Sequence, residues 1–263
     1  MIRNDQLLKL LYDAFPHGSE QLNQAIENIR GELTPELAAQ ASERYNAAIE
    51  RQDATGAFAA STIAFRIFNI LGLREDAFNA LVDRFSVRFM VAQTEKDYAD
   101  IRTELSEVLA GYSYGQGSPE TGLRARVLSA DCAFFACESG AEGMAKKRWL
   151  QAALESLQDG VQFLAETRTS LLILQFSCTT VAVYQVCVSK GWVGEPWAAS
   201  RLAALTVAID RAAPAKLIFP GDDAKTASID AARAQMSCLY NSSYTREETS
   251  GQKLSGLFGR KRG

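Results

Sequence analysis

Apolar residues recur along most of this chain at spacings of three and four, as in Phe78, Leu81, Phe85 and Phe89, or Leu150, Leu154, Leu157, Val161 and Leu164. Such spacings place each set on one face of a helix. Between the runs, helix-stop and helix-start signals fall at 31–35, 53–56, 72–76, 93–95, 111–119, 139–143, 167–169, 191–196 and 214–223. Two of these boundaries carry specific chemistry. Thr34-Pro35-Glu36 and Ser118-Pro119-Glu120 each offer a hydroxyl at the N-cap, a proline at the first helical position and an acid in the first turn. From Met1 to Phe15, Leu7, Leu8, Leu11 and Phe15 share one face while Asp5, Lys9 and Asp13 interrupt the sequence, which predicts an amphipathic helix rather than a signal peptide. No run alternates strictly between apolar and polar. The β-branched cluster Val181, Val183, Val186 and Val188 continues an unbroken apolar run from Leu171, so helix is expected there as well.

These segments predict an all-α fold of about ten antiparallel helices. Segments of about twenty residues joined by short turns make pairs of about forty, close to the period of helical-repeat solenoids. An α-solenoid of tetratricopeptide-like helix pairs is therefore favoured over a compact bundle. That preference rests on length, since pairs beginning near Pro35, Asp76 and Trp149 share only scattered Ala, Phe and Tyr with the tetratricopeptide pattern. The expected organisation is an all-helical domain over 1–243 and a disordered basic and hydrophobic tail over 244–263.

Composition narrows the classes. Hydrophobic residues at 47%, charged residues at 22% and only six prolines in 263 residues describe a chain that folds. A formal net charge of -3 gives no field that would gather nucleic acid, so no nucleic-acid partner is expected. Cys132, Cys137, Cys178, Cys187 and Cys238 are odd in number and sit mostly in apolar helical stretches, which predicts reduced, buried thiols and a cytoplasmic location. The stretch from Thr169 to Ser189 holds no charge and is long enough to span a bilayer. Its Ser, Thr and Gln residues favour a buried core helix, with a membrane-associated protein as an alternative.

The single histidine, His17, stands between Pro16 and Gly18 in a turn. Di-iron sites, zinc hydrolases and the usual Ser and Cys hydrolases need histidines that this chain does not have. No phosphate-binding glycine motif is present, and no cofactor is expected. One acidic pattern remains: Asp222, Asp223, Thr226 and Asp230 loosely resemble the magnesium-binding motif of terpene synthases, which are all-helical. That resemblance implies a Mg2+-dependent enzyme with a second acidic box on a facing helix, and the nearest positions to such a box are Asp97 and Asp100. A turn followed by an N-cap with acids complementing the helix dipole explains Pro220-Gly221-Asp222-Asp223 more simply.

Two segments are candidates for partner contact. Tyr112 and Tyr114 lie between glycines in 111–122, a composition suited to a recognition loop. In the tail, Leu254, Leu257 and Phe258 stand among Lys253, Arg260, Lys261 and Arg262, a composition suited to a docking peptide or an anionic membrane surface. The layout from Gln252 to Phe258 faintly resembles peptides that bind bacterial sliding clamps. Together these features predict a non-enzymatic protein-binding module, an adaptor, chaperone or scaffold, with the terpenoid-synthase type of enzyme as the alternative.

Overall fold

The structure is a computed structural model that describes residues 3–111 and 118–212. All of its regular structure is helical, and no strand occurs among the described residues. Ten α-helices follow one another: α1 (Asn4–Ala14), α2 (Ser19–Asn28), α3 (Pro35–Glu50), α4 (Ala54–Ile70), α5 (Arg74–Val91), α6 (Glu95–Ala110), α7 (Pro119–Glu138), α8 (Gly143–Leu164), α9 (Ser170–Ser189) and α10 (Pro196–Ala212). Short 3-10 turns at Phe15–His17 and Arg30–Glu32 join the first three.

The caps are where their side chains require them. The Thr34 hydroxyl accepts from the Leu37 amide at 3.2 Å, and the Ser118 hydroxyl accepts from the Thr121 amide at 3.2 Å, each with proline at the first helical position. Asp53 caps α4 through the Gly56 amide at 2.8 Å. Thr94 and Asp97 form a reciprocal capping box on α6. Each satisfies a backbone donor that a helix leaves open at its first turn.

Leu7, Leu8, Leu11, Leu22, Ile26, Ile63 and Ile67 form a core that joins α1 and α2 to α3, α4 and α5. A second core, around Leu123, Leu150, Leu154, Leu157, Phe176, Tyr184 and Leu202, joins α7, α8, α9 and α10. Between them Phe78, Phe85, Ile101, Leu105 and Leu128 connect α5 and α6 to α7. The two largest cores are therefore linked through α5 and α7, each of which also contributes to this connecting cluster. Helices α7 and α8 approach closely, because a Cβ on Gly122 would stand 2.5 Å from the Phe163 ring. On the next turn of α7, the Arg126 guanidinium lies 4.2 Å from the centroid of that same ring.

Helix α9 is the uncharged stretch, and Leu171–Ser189 is long and apolar enough to cross a membrane by length and composition. It packs against α7, α8 and α10. Its buried Ser177 and Thr180 donate back to the carbonyls of Ile173 and Phe176 at 2.7 Å, so these hydroxyls enter the core with their hydrogen bonds already made. Cys132, Cys137 and Cys187 are buried, as the apolar context predicts. Cys178 corrects that expectation: it is exposed, on a stripe with Leu171, Gln175 and Gln185 that faces away from the neighbouring helices. Cys238 lies outside the described residues.

Candidate partner-binding surface

Three turns meet at one end of the molecule. These are the α5–α6 turn, the α7–α8 turn and the α9–α10 turn, and specific side chains hold them together. The Trp149 indole N–H donates to Glu95 Oε1 at 2.8 Å, which fixes the start of α8 against the start of α6. Lys147 pairs with Glu195, and the Trp197 indole N–H donates to the same carboxylate at 2.7 Å. That hydrogen bond from Lys147, followed by the one from Trp197, holds the Glu195 carboxyl below its ordinary range. The ring of Trp192 lies 6.4 Å from that of Trp197. All three tryptophans of the chain thus serve this end.

Beside them lies an aromatic cluster. Phe89 at the end of α5 contacts Tyr98 at 5.6 Å and Phe135 at 5.3 Å, and Tyr98 contacts Phe135 at 5.7 Å between ring centroids. The Tyr98 hydroxyl donates to the Ala92 carbonyl at 2.9 Å and anchors the turn. Each ring is packed against the other two, and Tyr98 is held in addition by its hydrogen bond.

This frame displays apolar side chains to water. Met90, Val91, Phe135, Met144 and Val188 are exposed here, from 39% for Val188 to 66% for Met144. Only Leu10, Leu171 and Val207 are comparably exposed large apolar residues elsewhere among the described residues, so the exposure is concentrated rather than scattered. Concentrated apolar exposure is the signature of a contact surface, and methionines suit one because they adapt to a partner's shape.

A cleft of about 500 Å3 opens at the same end, lined by Cys137, Glu138, Glu142, Lys146, Lys190 and Trp192 among others. Lys146 pairs with Glu138 at 3.0 Å, a hydrogen bond that raises the lysine's pKa. Burial pushes the Cys137 thiol up to about 12, so it holds its proton at neutral pH and is a poor nucleophile. The cleft presents paired ions and an indole, a lining suited to binding.

A second titratable feature lies deeper, between α7 and α9. Asp131 accepts from the Thr179 hydroxyl at 2.7 Å, and burial, opposed by that hydrogen bond, pushes its carboxyl up to about 6. Among the described residues, no group of three or more His, Cys, Asp or Glu side chains could hold a metal ion. Asp97 and Asp100, the positions nearest to a second acidic box, are engaged as the α6 cap and as the ion-pair partner of Lys96.

Asp222, Asp223, Thr226 and Asp230, Tyr112 and Tyr114, and the tail residues Leu254, Leu257, Phe258, Arg260, Lys261 and Arg262 all lie outside the described residues. Gly111 and Ser118, which flank the two tyrosines, stand at the opposite end of α6 and α7 from the three turns. Sequence reasoning did not find the exposed patch. Phase alone did not mark it: Met90 and Val91 fall off the α5 stripe of Phe78, Val82, Phe85 and Phe89, but so does Val87, which is buried against Ala48 and Ala57. Asp131 did carry a signal, as the only charge between Val127 and Cys137. No known protein family, no curated protein and no solved structure matches this chain.

Proposed function

We propose that this chain is a non-enzymatic protein-binding module, acting as an adaptor, chaperone or scaffold in the cytoplasm. The observation that carries the reading is the concentration of exposed Met90, Val91, Phe135 and Met144 on a frame of tryptophans and aromatic rings at one end. A frame of packed rings lowers the ordering cost of binding, and flexible methionines provide contact area. A solenoid-like array of helix pairs is the architecture we favour for it. Supporting that choice, the pairs α3 with α4, α4 with α5, α6 with α7 and α7 with α8 have the most extensive helix contacts. The tyrosines at 112 and 114 and the basic tail are additional contact points proposed from composition alone.

The test is a paired substitution, Met90→Lys with Met144→Lys, compared with the unaltered chain in capture from a lysate of the native host. Both side chains are well exposed, so helicity and Tm should hold. The module reading predicts that specific partners captured by the unaltered chain are lost. Capture of the same partners in the same amounts by both proteins would refute this surface.

A further inference from the structure

Three arginines gather where α4 and α5 pack together, and among the described residues only one of them has an acidic partner. Arg88 of α5 forms a two-point pair with Glu104 of α6, its Nη1 and Nη2 donating to the carboxylate at 2.5 and 2.8 Å. Arg66 of α4 is held by neutral groups of α2, because its Nη1 donates to the side-chain oxygen of Asn23 and, at 3.4 Å, to the Ser19 carbonyl. Arg84 stands one turn before Arg88, with its guanidinium 5.2 Å from the centroid of the Phe58 ring. Its Nε is buried without a hydrogen-bond partner, and neither Arg84 nor Arg66 forms an ion pair among the described residues. We propose that Arg66, Arg84 and Arg88 bind the phosphate group of a soluble phosphate ester.

Charge balance carries the proposal. All three arginines are partly buried, and a charge taken from water is unfavourable unless an opposite charge answers it. Burial lowers the Arg84 pKa most, Arg88 and Arg66 lower it further, and Glu104 opposes them, so these groups lie within electrostatic reach of one another. Three guanidinium groups against the one carboxylate of Glu104 leave two positive charges without a counter-charge. A phosphate ester carries close to two negative charges at neutral pH, so a single such group balances the cluster. A lone carboxylate would leave one positive charge over.

The donors point the same way. Both hydrogen bonds of Arg66 use Nη1, which leaves its Nη2 to donate, and the terminal nitrogens of Arg84 make no hydrogen bond among the described residues. Guanidinium groups present their N–H donors in a fixed fork that suits the oxygens of a phosphate. Contact with the Phe58 ring favours the charged form of Arg84 without using any of those donors. Arg88, whose terminal nitrogens are both committed to Glu104, contributes its charge rather than a donor.

The test titrates inorganic phosphate into the full chain by calorimetry at mildly alkaline pH, where phosphate is a dianion, against sodium chloride of the same ionic strength. Two variants are compared with the unaltered chain after circular dichroism has shown that their helicity is unchanged. Arg84→Gln removes the central cation, and Asn23→Asp places a carboxylate on Arg66 from an exposed position while leaving Arg84 untouched. The proposal predicts saturable phosphate binding that each variant weakens by about tenfold or more, the loss expected for one charged hydrogen-bonding group. No saturable binding beyond the chloride control, or equal affinity in the unaltered chain and either variant, would overturn it. Retention on phosphatidylcholine vesicles containing phosphatidic acid that depends on Arg84, without binding of free phosphate, would assign the cluster to a membrane and overturn it as well.

Discussion

In the first half of the chain the strongest helix contacts join neighbours in sequence, α3 with α4 and α4 with α5, and α1 touches α3 and α4 only lightly, whereas in the last four helices the contacts that skip a neighbour are more extensive. Helix α7 meets α9 as well as α8, and α8 meets α10 as well as α7. The consequence for side chains is direct. Helices α1 and α2 bury narrow stripes of Leu7, Leu8 and Leu11, or Leu22 and Ile26, and leave the rest wet. Helix α7 buries thirteen of its twenty residues, including Thr121, Arg126 and Ser129. A helix touched on one side needs one apolar face, while a helix touched on several sides must bury polar groups and satisfy them internally. The Ser129 and Ser156 hydroxyls do so at 3.0 Å across the α7–α8 contact.

The difference predicts where the fold is brittle. Phe176 in α9 is fully buried in the core shared by all four final helices, so Phe176→Ala should cost about 3 to 5 kcal/mol. Leu10→Ala, at a half-exposed site of α1, should stay within about 0.5 kcal/mol. Chemical denaturation of the two variants checks the contrast, and similar losses would mean that the two regions are equally tolerant.

This contrast also governs what the sequence could reveal. The stripes of α1, α5 and α8, the Thr34 and Ser118 caps and the count of about ten helices were legible because each depends on local spacing or on one turn. The exposed face of α9 was illegible. With no charge between Thr169 and Ser189, nothing marked which side met water, and Cys178 emerged on the outside. The meeting of three turns was illegible for another reason: Trp149 with Glu95 is a contact across 54 residues, and no local pattern encodes it. The acidic candidate was read from a motif and the tyrosine and tail candidates from composition, and all three fall outside the described residues.

A smaller effect sharpens the comparison at the α7–α8 contact. Gly122→Ala places a methyl group against the Phe163 ring and should cost about 1 to 3 kcal/mol. Gly31→Ala, in the turn before α3, meets nothing within 4 Å and should be nearly neutral. A Tm series over both variants would show whether close approach, rather than glycine itself, sets the loss.

The smallest expected effect depends on pH. Asp131 has a folded pKa of about 6, above its ordinary 3.8, so between those values the folded protein keeps a proton that the unfolded chain has released. Stability should therefore fall as pH rises through that window and stay lower above it. Asp131→Asn removes the ionisation while keeping an acceptor for the Thr179 hydroxyl, and should add about 1 to 2 kcal/mol at neutral pH after allowance for screening. Denaturation curves at several pH values check both the gain and the flattened profile, and an unchanged slope would show that Asp131 ionises freely.

Contact through the three-turn end is tested most directly inside the native host. A photo-crosslinking amino acid is placed in the full chain at Met144 and, in a separate protein, at Leu10, which is also exposed but lies in α1. On irradiation, the Met144 position should form discrete higher-mass adducts containing another protein, and the Leu10 position should form none. Adducts at both positions in equal yield, or at neither, would contradict a partner-binding role for this surface.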